Sequence, residues 1–329
     1  MDVLTRKRRI ARLVVRRMAF GAVLVPAVSL GAFALAAASP FDPLDAYLGG
    51  AGDGYTEAAR AQARVRLGFD ESWGSAWLRW ACGLLHGDLG FSRAYHQPVA
   101  EVLVQRLGWT ALLGAAGALI AIFSAGALGV LAGTRQGGVV DRAISVVAVV
   151  LQAAPPFVLA LGTVLLFALT FELFPASGAT DPGEDPTAAS VARHLVLPAV
   201  VLGLSQIPWL VLGLRESLVR AMAGDAVFGA RARGLPRRIV ELRHALPLAA
   251  APFVSLIGSR TPELLMGAAV VEAVFGWPGL GGAAVDSARA VDFPLLAAVS
   301  VLSVVAVLVG NLLADVVILV IDPSVEADG

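Results

Sequence analysis

A single cysteine, Cys82, in 329 residues leaves no partner for an intrachain disulfide and no Cys cluster for a metal. A single lysine, Lys7, stands without the glycines that a phosphate-cradling loop of the form G-x-x-x-x-G-K-[ST] places before it, so the chain carries no nucleotide-hydrolysing motor of that kind. "GLGGAA" at 279 to 284 follows no strand and reads as a turn, not a dinucleotide fingerprint. Histidine is scarce as well. His86, His96, His194 and His244 lie outside the long apolar runs, which argues against a metal site and leaves those runs without the usual base for a nucleophile such as Ser259. Charged side chains make up only 15% of the chain and balance to zero, so no bulk charge draws it to nucleic acid.

What the chain has in quantity is apolar surface: 57% hydrophobic residues and a mean hydropathy of +0.78 mark an integral membrane protein. A hydrocarbon core about 30 Å thick is crossed by about 20 apolar residues of helix. Six such runs lie near Met18 to Ala38, Trp109 to Ala132, Ala143 to Phe171, Leu195 to Leu214, Ala245 to Val271 and Phe293 to Ile321. Runs of this length exclude a barrel, whose segments would be about 10 residues of alternating polarity. The first run, after "RKRRIARLVVRR", imitates a signal peptide, but its length favours a retained helix.

Arginine then sets the orientation. With six spans, sixteen Lys and Arg residues fall on the side holding both termini and eight on the other, so both termini are expected in the cytoplasm. The chain divides into a cytoplasmic N-terminus 1–17, a first transmembrane helix 18–38, an extracytoplasmic segment 39–108, a five-helix core 109–321 and a cytoplasmic tail 322–329. Trp73, Trp77 and Trp80 interleaved with arginines in the outer segment suit either helices lying at the membrane interface or a small cap packed on the outer face. "SGATDPGEDPTAAS" between the third and fourth runs is a loop. Pro155 and Pro156 predict a kink in the third run.

Two charged features break the apolar pattern. "GDAVFGARARGLPRRIVELRHALP", residues 224–247, falls in the cytoplasmic core loop and reads as two short helices divided at Gly234, with Pro236 opening the second. Charge alone suits a topology anchor on anionic lipid. Arg260 and Glu263, at i and i+3, sit in the body of the fifth run; intramembrane charges of this kind line a water-filled pathway or form a structural ion pair.

The order of residues in the loop adds more. Gly234, Ala230, Leu246 and Pro247 fall at the spacing of the cytoplasmic loop of bacterial ABC importer permeases. Phe228 and His244 stand where that pattern has Glu and Ile. Asp225, Ala230, Arg231, Ala232, Gly234, Leu235, Arg243, His244, Ala245 and Leu246 match the variant found in the dipeptide, oligopeptide and nickel branch, with Arg233 in place of its usual lysine. "GDLGFS", "PVAEVLVQRLGWT", "TRQGGVVDR", "LFPASG", "RHLVLPAV", "VVEAVFGWPGLG", "VDFP" and "DPSV" extend the resemblance over nearly the whole chain, while "SPFDPL" departs from it.

The resemblance implies an all-α polytopic permease with the type I importer fold, forming half of a translocation pathway. Its loop would be the ATPase-coupling element, with Asp225, Phe228, Ala230, Arg231, Arg233, Gly234, Leu235, His244 and Leu246 in contact roles and Phe228 and Leu235 as apolar anchors. Arg260 and Glu263 are the candidate pathway residues. The chain itself would hold no metal and no cofactor. ATP and Mg would be bound by two cytoplasmic ATPase subunits, beside a homologous permease and an extracytoplasmic substrate-binding protein. Dipeptides or oligopeptides are the first substrate class, a nickel chelate or another small solute the alternative. A secondary transporter would couple through intramembrane carboxylates, for which Glu263 alone offers thin support.

Overall fold

The computed structural model describes residues 3–40, 44, 56–67 and 71–321, with side chains from residue 10 to residue 317 of those except 66 and 67. The "DPSV" motif, the tail 322–329 and the middle of "SPFDPL" (41–43) lie outside the described residues. The chain forms two compact units: residues 1–111 with 277–308, and residues 112–276 with 309–329.

Among the described residues five helices are long and apolar enough to cross a membrane: Ile10–Ala37, Val99–Thr134, Ala188–Met222, Arg237–Ser259 and Phe293–Val317. Two broken pairs, Val139–Ala153 with Pro156–Thr170 and Thr261–Phe275 with Leu280–Arg289, raise the number to seven if each pair is one span. Two of the runs read from the sequence as single spans are interrupted, the third at one of these breaks and the fifth at a separate one. The third turns by 100° at Pro155–Pro156. A residue before proline is driven out of the helical region, and Ala154 (ψ 121°) and Pro155 (ψ 141°) are both extended, so two prolines in series turn the expected kink into a corner.

The fifth run stops at Ser259 and restarts at Thr261. Pro262 has no N–H to give the Gly258 carbonyl, and the Thr261 hydroxyl donates to it instead at 2.8 Å. Arg260 (φ −88°, ψ −2°) is the joint between the two helices.

In the second unit the central element is helix α7 (Ala188–Met222), whose interior-facing residues include Leu202, Leu210, Leu214 and Leu218. The later part of α4 (Val99–Thr134) lies alongside it. Gly129 and Gly133 sit one helical turn apart, and a Cβ on either would come within about 3 Å of Leu214 or Leu218. Small residues at this spacing let helix backbones approach where lipid offers no hydrophobic drive.

In the first unit, helix α3 (Trp73–Leu85) packs on α1 (Val3–Ala37). Ser72 caps α3 by accepting from the Ser75 N–H. The Trp77 indole donates to Ser29 Oγ at 3.1 Å and that of Trp80 to the Leu89 carbonyl at 3.1 Å, while Phe33 packs between the rings of Trp80 and Phe293. Two of the three tryptophans are therefore held inside a packed cap, and Trp73 is left exposed.

Candidate functional site

The loop 224–247 folds as its glycine and prolines suggest. Helix α8 (Asp225–Ala232) opens after Gly224 with Asp225 in its first turn, where a carboxylate meets the positive helix end. At its other end Gly234 adopts φ +76°; its N–H donates to the Arg231 carbonyl at 2.9 Å, and that of Leu235 to the Ala230 carbonyl at 3.3 Å. This pair of bonds is the Schellman closure, in which a left-handed glycine satisfies the last carbonyls. Pro236 then starts the second helix, which runs from Arg237 through a π-helical stretch, Val240–Ala245, into α10 (Leu246–Ser259). Pro247 cannot donate to the Arg243 carbonyl, and the widened turn before it makes room for its ring.

Three residues apart on one face, Val227 and Ala230 are fully buried in a cluster with Leu214, Leu218, Val240, Ala245 and Ala249. The opposite face presents Phe228, 73% exposed, flanked by the exposed Arg231 and Arg233. Leu235 departs from the sequence reading. Instead of standing out as a second anchor, it packs against the same inner cluster, because the Schellman closure folds the residue after the glycine back over its helix. Ala230 is an interior residue for the same geometric reason. His244 and Leu246 are half-buried, and Asp225 is exposed.

Below the loop, one contact ties it to a helix end, and a second joins its neighbouring elements. The Arg237 guanidinium donates to the Thr134 carbonyl, the last residue of α4, and to Glu241 one turn on at 2.6 Å. Arg215 grips Asp141 bidentately, Nε to Oδ1 at 2.5 Å and Nη2 to Oδ2 at 2.8 Å. The Gly137 N–H completes the buried carboxylate's shell at 2.8 Å. Sequence reasoning missed this pair, because its partners are 74 residues apart and each looks like an ordinary loop-flanking charge.

Arg260 and Glu263 come together, not in the body of a span but across the break. Arg260 Nη1 lies 3.1 Å from Glu263 Oε1. The guanidinium sits 4.7 Å from the centre of the Trp209 ring, a cation–π distance. Its side chain is 17% exposed and that of Glu263 46%; Arg260 Nε is buried without a hydrogen-bond partner.

In the first unit, quoted motifs that are far apart in sequence meet. Asp292 of "VDFP" is fully buried and accepts from the Ser92 hydroxyl of "GDLGFS" at 2.7 Å and from the Ala94 N–H at 3.0 Å. The Trp277 indole of "FGWPGLG" donates to the Trp109 carbonyl at 3.0 Å, and the Leu280 N–H to the Thr110 hydroxyl at 2.8 Å. Tyr95 donates to Asp286 at 2.5 Å beneath the Arg106 guanidinium; burial first, and that bond second, push its phenol up to about 12. Among the described residues no three His, Cys, Asp or Glu side chains are grouped to hold a metal.

Several helices long and apolar enough to cross a membrane, joined by a compact basic loop, define a multi-pass membrane protein of the permease type. Residues 125–327 match the family model described as binding-protein-dependent transport system inner membrane component, and the chain belongs to that family. It is 30% identical over 316 residues to a putative peptide permease protein of Brucella suis biovar 1, covering 96% of this chain and 99% of the relative. It is 29% identical over 317 residues to the oligopeptide transport system permease protein AppB of Bacillus subtilis, with the same two coverages. Against the dipeptide transport system permease protein DppB of Escherichia coli K12 the identity is 29% over 320 residues, 91% of this chain and 94% of the relative.

Proposed function

We propose that the chain is one permease half of an ATP-driven peptide importer and that residues 224–247 receive the mechanical input. The observation that carries this reading is the two-faced loop. Val227 and Ala230 lock one face into the helix ends, while Phe228, Arg231 and Arg233 offer a free apolar anchor with a charged rim, the composition of a protein contact. Displacement of such a rigid element passes to α4 through the Arg237 bond to Thr134. The partner on that face is a cytoplasmic ATPase, one of two, which binds the ATP and Mg that this chain does not. A homologous permease supplies the other half of the pathway, in a heterodimer, and an extracytoplasmic binding protein delivers the substrate. With one of the two broken pairs crossing the membrane and the other not, six spans keep both termini on the cytoplasmic side, the one richer in arginine.

The substrate reading rests on three curated relatives whose names carry peptide, oligopeptide and dipeptide transport. Arg260 and Glu263 line the pathway: Trp209, Glu263 and Met266 are exposed on the second unit, and charge in an apolar belt faces a partner or water, not lipid.

Substitution of Gly234 by valine tests the loop, since a β-branched residue resists φ +76°. In proteoliposomes holding the complete transporter, Gly234→Val is expected to uncouple ATP hydrolysis from uptake, while Gly234→Asn, which tolerates that conformation, retains most coupling. Full substrate-stimulated hydrolysis and uptake in Gly234→Val would refute the assignment.

A further inference from the structure

Arg260 carries five N–H donors and uses one, on Nη1, for its single hydrogen bond to Glu263. The opposite edge of the guanidinium, where Nε and Nη2 project side by side, is the fork that holds a carboxylate with two parallel bonds. In the same unit Arg215 uses that fork on Asp141, while on Arg260 it is vacant and Nε is buried with no acceptor. A buried donor left unmatched is unfavourable, and such a group in a folded protein calls for an explanation in strain, in function or in a bound partner. The Trp209 ring centre lies 4.7 Å from the guanidinium carbon, a cation–π contact that uses none of its donors. Arg260 also occupies the joint between α10 and α11 (Thr261–Phe275), closing one helix and opening the next.

We propose that Arg260 docks the free carboxylate of the transported peptide, with Glu263 as the resting counter-ion. Glu263 holds Nη1 through one oxygen and is itself nearly half exposed, so it steadies the cation in the apolar belt without blocking the fork. In the present conformation Nε is covered; opening of the joint admits the substrate carboxylate, and closing releases it. The site rests on the peptide reading above, and it goes further by naming the end of the peptide that the permease reads.

Uptake of alanine tripeptide and of its C-terminal amide, measured with the complete transporter and saturating binding protein, tests this. The readout is the ratio of kcat/KM for the free acid to that for the amide, so effects on assembly common to both substrates cancel. Arg260→Gln should lower that ratio about tenfold, the loss of one charged, bidentate contact. Arg260→Lys, with charge but no fork, should fall between. Glu263→Gln, which removes the negative charge beside the fork, should lower KM for the free acid. An Arg260→Gln transporter whose ratio stays within twofold of wild type overturns the docking role. A wild-type transporter that takes up no peptide while hydrolysing ATP overturns the peptide reading itself, and the docking role with it.

Discussion

Arg215 and Arg260 each face one carboxylate within the same helical unit, and the two pairs are built for different ends. At Asp141 every lone-pair direction is used: two bonds from Arg215, one from the Gly137 N–H, and Ser145 nearby. The carboxylate is 4% exposed and its partner 29%. At Glu263 there is one bond, a half-exposed carboxylate and a guanidinium with its better edge vacant. A closed pair holds two elements in one geometry, here the turn 135–141 and α7. An open pair tolerates exchange of its anion, which a pathway needs. The contrast shows that a salt bridge is not one kind of object: which nitrogens are engaged decides whether it is a strut or a socket.

The strut should break hardest. Asp141→Ala leaves a guanidinium and the Gly137 N–H facing each other without an acceptor. Removing one partner of a buried pair costs about 3–5 kcal/mol, and the partial exposure of Arg215 places this at the lower end. Denaturation of the purified permease in detergent should register it. Arg215→Lys keeps the charge but loses the fork. The expected destabilisation is about 1.5–3 kcal/mol, the worth of one hydrogen bond to a charged group, and smaller than that of Asp141→Ala in the same assay. At the socket, Trp209→Leu removes the ring under Arg260 and should cost only about 0.5–1 kcal/mol. If Trp209→Leu destabilised as much as Asp141→Ala, the division into strut and socket would fail.

How legible these features were in the sequence depends on how local their causes are. The loop 224–247 was readable because Gly234 and Pro236 act on their own neighbours: one supplies the left-handed turn, the other starts the next helix. The direction of Leu235 was not, since it depends on the cluster it closes on. Pro155–Pro156 announced a disturbance, but the 100° corner needed two extended residues in succession. In the fifth run Pro262 was the visible signal, and the apolar content around it argued for continuity. The spacing of Arg260 and Glu263 did predict their pairing, because i and i+3 neighbours meet even at the start of a helix. Asp141 with Arg215, and Ser92 with Asp292, join segments that only the tertiary fold brings together.

The smallest effect on stability belongs to Glu263→Gln, and it is the most informative. Glu263 is 46% exposed and makes one bond of 3.1 Å, so the pair falls among exposed ion pairs worth about 0–1 kcal/mol, and the neutral amide can still accept from Nη1. The denaturation midpoint should hardly move. If Glu263 were instead a strut like Asp141, the same change would lower it by an amount comparable with Arg215→Lys. A double-mutant cycle of Glu263→Gln with Arg260→Gln separates the alternatives: a coupling below about 0.5 kcal/mol identifies an exchangeable counter-ion, because two groups that share a single weak contact have little to lose together.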